Sequence, residues 1–345
     1  MKSKQLLAGL FIFGSILTMS AQNVSSTAYL TSGGDEAGTD GDGGTYYGYR
    51  AGKATKREAK ANSFFGFETG YNNSLGAENV FAGYRAGTTN TVGLQNVFVG
   101  SYASQNNVDG SRNVMIGTLS GDKNVRGSEN VYVGNLSGAS SSSTPKNNTY
   151  IGNSAGYQSN GNGNVFLGNL AGSGTRVSSQ LFISNTNDMT PLIWGDFKAD
   201  LVKLNGKVGT GGLIDFPTMA GNVDVSKYSL YALGGILTEE VRVTPNMDWA
   251  DYVFLEDYKL PTLDEVESFI KQNGHLPNVP SAKEVKRDGL ALGEIAKIQQ
   301  EKIEELTLYV IEQKKQNEKQ DKEIEKQNQE IKELKALVQQ LAEKK

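Results

Sequence analysis

Eight glycines at nearly constant spacing constrain this chain more than any other feature. Gly48, Gly66, Gly83, Gly100, Gly117, Gly134, Gly152 and Gly168 are separated by 18, 17, 17, 17, 17, 18 and 16 residues. Four residues after each stand Gly52, Gly70, Gly87, Ser104, Gly121, Gly138, Gly156 and Gly172, and four before stand Gly44, Asn62, Asn79, Asn96, Asn113, Asn130, Asn148 and Asn164. Two before is always large: Tyr46, Phe64, Phe81, Phe98, Met115, Tyr132, Tyr150 or Phe166. The unit is Asn-x-aromatic-apolar-Gly-x-x-small-Gly, with Asn96-Val97-Phe98-Val99-Gly100 as its clearest copy. Internal repetition at a fixed period marks a repeat architecture.

Each unit holds one short run of β-branched and aromatic residues, suited to a strand. Glycines flank it where the chain must turn with positive φ or where backbones come close. A helical repeat is disfavoured by glycine at this density, which costs roughly 1 kcal/mol per position relative to alanine. The expectation is a parallel β-solenoid with one coil per unit. Eight coils at ~4.8 Å extend about 38 Å. Stacking sets each asparagine over the last, so that side-chain amides bond along the stack; asparagine also tolerates the left-handed conformation. Residues one and three before each marked glycine are often apolar, as in Val80-Phe81-Ala82 and Val131-Tyr132-Val133. Side chains alternate along a strand, so both faces need cover. The face turned away from the coil interior is expected to pack against other chains.

Asn-x-aromatic-apolar-Gly-x-x-Ala-Gly resembles the head repeats of YadA-like trimeric autotransporter adhesins, which form a parallel β-roll. The resemblance spans about residues 44–174 and implies a trimeric β-roll. The period of about 17 is longer than in that family, and no segment resembles the family's membrane-inserted barrel. Self-secretion is therefore not implied.

Composition sharpens the division of the chain. Of 41 glycines, 25 lie in residues 41–174 and none in 294–345. With no cysteine, disulfide scaffolds, zinc fingers and thiol enzymes are excluded. Residues 1–22 read as a secretory signal peptide: basic Met1-Lys2-Ser3-Lys4, an apolar run from Leu6 to Leu17, then Ser20-Ala21-Gln22. The run is too short to span a bilayer, and no cysteine near the cleavage point offers a lipid anchor. An exported or cell-surface location follows. Residues 23–43 are expected to be a flexible leader. In it, Asp40-Gly41-Asp42-Gly43 has spacing that suits Ca²⁺, although an acidic linker is the simpler reading. The repeat head occupies 44–175. A β-rich connector is expected at 176–245, with strand-like runs Leu181-Phe182-Ile183, Leu192-Ile193-Trp194, Leu201–Leu204 and Val241-Arg242-Val243.

Residues 246–292 form a small α/β block. Thr262-Leu263-Asp264-Glu265 and Ser281-Ala282-Lys283-Glu284 are capping boxes, closing at Asn273-Gly274 and near Gly289. Trp249, Tyr252, Phe254 and Tyr258 offer packing anchors. His275, the only histidine, has no partner nucleophile at a diagnostic spacing and reads as a loop residue. This block, running into a helix, resembles the C-terminal regions of secreted bacterial and phage tail-fibre proteins. Without a serine–lysine arrangement, the self-cleavage known in some of those ends is not implied.

From Ile303 to Leu341 the chain repeats in heptads, so 293–345 is read as a coiled-coil stalk. Position a is Ile303, Val310, Asn317, Ile324, Ile331 and Val338; position d is Leu306, Gln313, Gln320, Gln327, Leu334 and Leu341. A polar centre in the seam fixes register at a cost in stability. Residues 294–345 hold 12 acids and 11 lysines with no arginine, so the helix is not the basic region of a DNA-binding zipper. A solenoid hydrolase would need paired carboxylates, but Glu68, Glu78, Asp109, Asp122 and Glu129 fall in no such arrangement. No catalytic, cofactor-binding or metal-ligating residue is assigned. The overall expectation is a mainly β, elongated homotrimer that is fibrous, adhesin-like and not an enzyme, and that binds a cell, matrix or glycan. The alternative is a tail-fibre-like subunit of a phage-derived or injection apparatus.

Overall fold

The computed structural model describes residues 24–27, 30–139, 144–212, 215–244 and 249–343. The expected signal peptide lies outside the described residues. The chain divides into two compact units, Met1–Gly206 and Lys207–Lys345.

The first unit is the expected parallel β-solenoid. Its strands are β1 (Val24–Thr27), β2 (Leu30–Gly33), β3 (Gly44–Tyr47), β4 (Ser63–Phe65), β5 (Val80–Ala82), β6 (Val97–Val99), β7 (Val114–Ile116), β8 (Val131–Val133), β9 (Thr149–Ile151), β10 (Val165–Leu167), β11 (Gln180–Ile183), β12 (Ile193–Asp196) and β13 (Leu201–Leu204). They form one sheet in sequence order. Pairing from β2 through β11 is parallel and in register, giving about nine turns. At the two ends the direction reverses: β1–β2, β11–β12 and β12–β13 are antiparallel.

The array is longer than its sequence signature. Residues 23–43 are expected to be a flexible leader, but within them β1 pairs with β2 and β2 with β3, and Gly34-Asp35-Glu36-Ala37-Gly38 repeats the glycine spacing of the later turns. Its strand carries Ser32 where the others carry a large side chain, which hides the match. At the other end β11 adds a turn inside the expected connector, with Phe182 in the core column.

The core is one column of side chains. Tyr46, Phe64, Phe81, Phe98, Met115, Tyr132, Tyr150, Phe166 and Phe182 are buried, with alanines beside them. Ring centroids lie 4.6 Å apart for Phe81–Phe98 and 4.8 Å for Tyr132–Tyr150, near the strand spacing. The two marked glycines serve different needs. At Gly117 φ is +133°, and a Cβ would lie 2.3 Å from the carbonyl oxygen of Gly134 in the next turn. At Gly121 φ is +64°, and a Cβ would meet Met115 of its own turn at 2.6 Å. Ser104 is the exception in the second glycine column. Its φ is +45° and its buried hydroxyl has no hydrogen-bond partner. Ser104→Gly is expected to stabilise the solenoid by about 1 kcal/mol, because both penalties disappear. A raised midpoint in urea checks it.

Buried asparagines run beside the aromatic column. In each link, one Oδ1 accepts from the backbone N–H of the asparagine in the next turn. For Asn113 on Asn96 the distance is 3.0 Å, and for Asn130 on Asn113 it is 3.1 Å. The links continue from Asn62 to Asn164. A second buried column, which the sequence reading missed, comprises Asn73, Asn90, Asn107 and Asn124. The two columns meet on shared carbonyls: Gly93 O accepts from Asn79 at 2.9 Å and from Asn90 at 3.2 Å. None of these asparagines is left-handed. That conformation falls instead two residues after each first-column glycine, on Arg50, Glu68, Arg85, Tyr102, Leu119, Leu136, Ser154 and Leu170, and directly before the asparagines, on Ala61, Glu78, Gln95, Arg112, Glu129 and Asn147.

In the second unit, β14 (Val208–Thr210) pairs in parallel with β17 (Leu230–Ala232), and β15 (Met219–Ala220) pairs antiparallel with β16 (Val223–Asp224). Val241-Arg242-Val243, expected as a strand, is in none. A 3₁₀ turn at Ala250–Phe254 precedes α1 (Leu263–Asn273), α2 (Ala282–Asp288) and α3 (Leu292–Glu343). Both capping boxes form, and α1 stops at Gly274 with φ +75°. Tyr252 and Tyr258 anchor the preceding segment on α3, whereas Trp249 and Phe254 are exposed.

Candidate functional site

On strands β4 to β10 the middle side chain is buried and its neighbours face out. Phe65, Val80, Ile116, Ile151 and Leu167 are exposed along this outer face. Immediately after each marked glycine the chain presents another outward position. In the early turns it holds Tyr49, Phe67 and Tyr84; in later turns it holds Ser101, Thr118, Asn135, Asn153 and Asn169. The stripe therefore changes from aromatic to small and polar along the stack.

The aromatic end is ordered. Tyr49–Phe67 and Phe67–Tyr84 stack with centroids 5.1 Å apart, and Tyr102 meets Tyr84 edge-on at 5.1 Å. One strand position away, Tyr47 and Phe65 stack at 6.2 Å. Arg50 lies 4.7 Å from the Tyr49 ring centroid and Arg85 lies 5.4 Å from that of Tyr84. Charges alternate along the same turns. Arg50 Nε donates to Glu36 at 2.9 Å, Arg85 Nε donates to Glu68 at 2.7 Å, and Lys53 also bonds Glu36. Hydrogen bonds from Arg50 and then Lys53 pull the Glu36 carboxyl down to about 2. The result is an aromatic surface edged by mutually neutralised charges. Stacking leaves the rims of the rings outward, where an apolar or hydroxylated partner meets C–H edges and the tyrosine hydroxyls.

The remaining candidates are placed as follows. Asp40 accepts the Gly41 N–H at 2.9 Å, and among the described residues no group of three or more metal-ligating side chains is assembled. The solenoid acids meet cations or amides from adjoining turns: Glu78 bonds Gln95 at 2.9 Å, Asp122 bonds Gln105 at 2.7 Å, and Glu129 bonds Arg112 at 2.5 Å. His275 Nδ1 lies 3.0 Å from the Leu276 carbonyl oxygen, and its ring is edge-on to Phe269. It borders a cavity of about 670 Å³ in the second unit, with Val223, Val279 and Ile298.

Sequence reasoning also missed a polar junction in the second unit. Glu301 and Glu305, one turn apart on α3, are buried; Tyr252 donates to the first and Tyr258 to the second. Lys302 bridges both carboxylates at 2.8 Å. Burial opposes ionisation of Glu301, but Lys302, Tyr252 and Asn278 outweigh it, and its pKa is lowered. The hydrogen bond to Glu301, followed by burial, pushes the Tyr252 phenol up to about 12. A raised folded value means that this contribution is complete below pH ~10, the unfolded value, and is lost as pH climbs toward 12. The Glu301 contribution has the opposite sense: it is present above the ordinary carboxylate range and is lost as pH falls through the lowered value. Release of residues 249–261 from α3 is thus expected at both extremes. Trp249 fluorescence in a Trp194→Phe background follows it, and Tyr252→Phe should remove much of the alkaline change.

Among the described residues no helix is long and apolar enough to cross a membrane. No protein-family model, no characterised protein and no solved structure matches the chain.

Proposed function

We propose that this is an exported, adhesin-like protein without enzymatic activity, which self-associates and presents its solenoid surface to a cell, matrix or glycan. The aromatic stripe from Tyr49 through Phe67 and Tyr84 to Tyr102 carries the reading. Its rings are not needed for the core, which has its own column; Phe67 and Tyr84 are exposed and Tyr49 and Tyr102 half-buried, and the positions of Tyr49, Phe67 and Tyr84 carry Ser, Thr or Asn in later turns. Exposed aromatic patches on a stable scaffold mark interaction sites. Because the local charges are paired, the stripe suits an uncharged, hydroxyl-bearing polymer or a mixed protein surface.

Self-association, with a trimer as the expected order, is supported by the resemblance of the repeats and by the seam on α3. Ile303, Leu306, Val310, Ile324, Ile331, Leu334, Val338 and Leu341 are all exposed on the single chain. Heptad positions of this kind are covered by another helix. The test is binding of the full mature protein to glycan and matrix arrays, beside the Phe67→Ala/Tyr84→Ala variant. The variant should lose binding by about tenfold or more, a change of about 1.4 kcal/mol. Uniform lack of binding by the unaltered protein would overturn the adhesive reading. Light scattering decides the association state.

A further inference from the structure

The second unit buries too little to stand alone. Among its described residues the buried apolar side chains are Val225, Tyr231, Ala250 and Val253. So small a core cannot offset the conformational entropy of more than a hundred ordered residues. Much of its apolar surface is exposed instead, and the stretch from Leu233 to Val243 is the extreme. Leu237 is 102% exposed, Ile236 68% and Val241 60%. Among the described residues, no backbone group from Gly235 to Thr244 makes a backbone hydrogen bond. The bonds present are local, from Thr238 to the Glu240 carbonyl and from Arg242 to the Glu240 carboxylate.

This stretch has the character of a strand without a sheet. Ile236-Leu237-Thr238 and Val241-Arg242-Val243 are rich in β-branched residues, and the second alternates apolar and polar. Gly234-Gly235 could return the chain onto β17 as a hairpin, yet the chain leaves it. The same unit holds the complementary feature: among the described residues β14 and β17 pair only with each other, so each has an open edge. Every copy thus carries one unpaired strand and two open edges, either of which can receive it. Its charges, Glu239, Glu240 and Arg242, are mixed in sign and do not oppose a like partner.

We infer that residues 236–243 pair in trans, as an added strand on the β14–β17 edge of a second copy of this chain. Strand addition satisfies orphan backbone groups and covers alternate side chains. Passing the strand to the next copy in one sense closes a symmetric ring in which every 236–243 strand is paired. The inference rests on the self-association proposed above, since a heptad seam on α3 brings copies side by side.

Hydrogen exchange on the full mature protein tests it, with light scattering on the same sample. In the oligomer, amides of residues 236–243 should exchange at least about a hundredfold slower than an unstructured chain. Leu306→Asp/Val310→Asp, which places charges in the seam, should give a monomer in which that protection is lost. Leu237→Asp should weaken protection there and leave the solenoid amides unchanged. Fast exchange at 236–243 in an oligomer would overturn the strand exchange and leave self-association standing. A monomeric unaltered protein would overturn both. Protection that persists in the monomeric variant would show a partner within the same chain and overturn the inference.

Discussion

Gly117→Ala is expected to destabilise the solenoid by on the order of 4 kcal/mol or more, among the largest effects of any single methyl group here. Two penalties act together. The residue sits at φ +133°, which L side chains rarely adopt, and the added carbon would lie 2.3 Å from the Gly134 carbonyl oxygen and 2.5 Å from its carbon. Those atoms are backbone and cannot swing aside as a flexible side chain would. The next turn is itself bonded to the one beyond, so relief at one level displaces the stack. Gly174→Ala separates the two causes. It has φ +73° but no atom within 4 Å of the added carbon. Only the conformational penalty of about 1–2 kcal/mol applies. Urea unfolding followed by circular dichroism compares them, and similar losses in both variants would refute the close-contact explanation.

Asn113→Ala is expected to cost about 3–5 kcal/mol. The side chain touches three levels of the stack. Its Nδ2 donates to Asn96 Oδ1 at 3.0 Å and to Gly127 O at 2.8 Å. Its Oδ1 accepts from Asn130 N at 3.1 Å and from Asn130 Nδ2 at 3.0 Å. Truncation leaves the amides of Asn130 and the Gly127 carbonyl short of partners, out of reach of water. Asn113→Asp is an informative second variant. It keeps the acceptor but turns a second oxygen toward the Gly127 carbonyl. A buried carboxylate between acceptors favours its protonated form, so this variant should recover part of its stability as pH falls into the carboxylate range. A pH-independent loss equal to that of alanine would show that the column acts by packing and not by hydrogen bonding.

Fold was more legible than site, for identifiable reasons. Columns filled by one residue type can be read directly, and the glycines, the aromatic position and the asparagines from Asn62 to Asn164 fell into place. The second column could have been read too, because Asn73, Asn90, Asn107 and Asn124 recur every 17 residues. It was obscured where Ser159 and Thr175 take over in later turns. The left-handed residues had no such signal: Arg, Glu, Tyr, Leu and Ser all occupy that position, because the turn geometry is imposed by neighbouring coils and not by local preference. The first coil was missed because Ser32 stands in for an aromatic. The Tyr252–Glu301 and Tyr258–Glu305 pairs join residues nearly 50 positions apart, and no local pattern announces such contacts. The aromatic stripe was written in the sequence, but its significance depends on which way each residue faces.

The antiparallel strands at the two ends of the sheet have a consequence for how such a molecule changes over time. Between them, every interior coil pairs with its neighbours in the same parallel register, so a coil can be duplicated or deleted without redesigning the terminal strands. Each addition of 17 residues would shift the ends apart by ~4.8 Å and lengthen the displayed surface by one rung. The solenoid is in that sense a ruler with fixed end-pieces, whose reach can be reset by recombination within the repeat while the chemistry of each rung is altered separately.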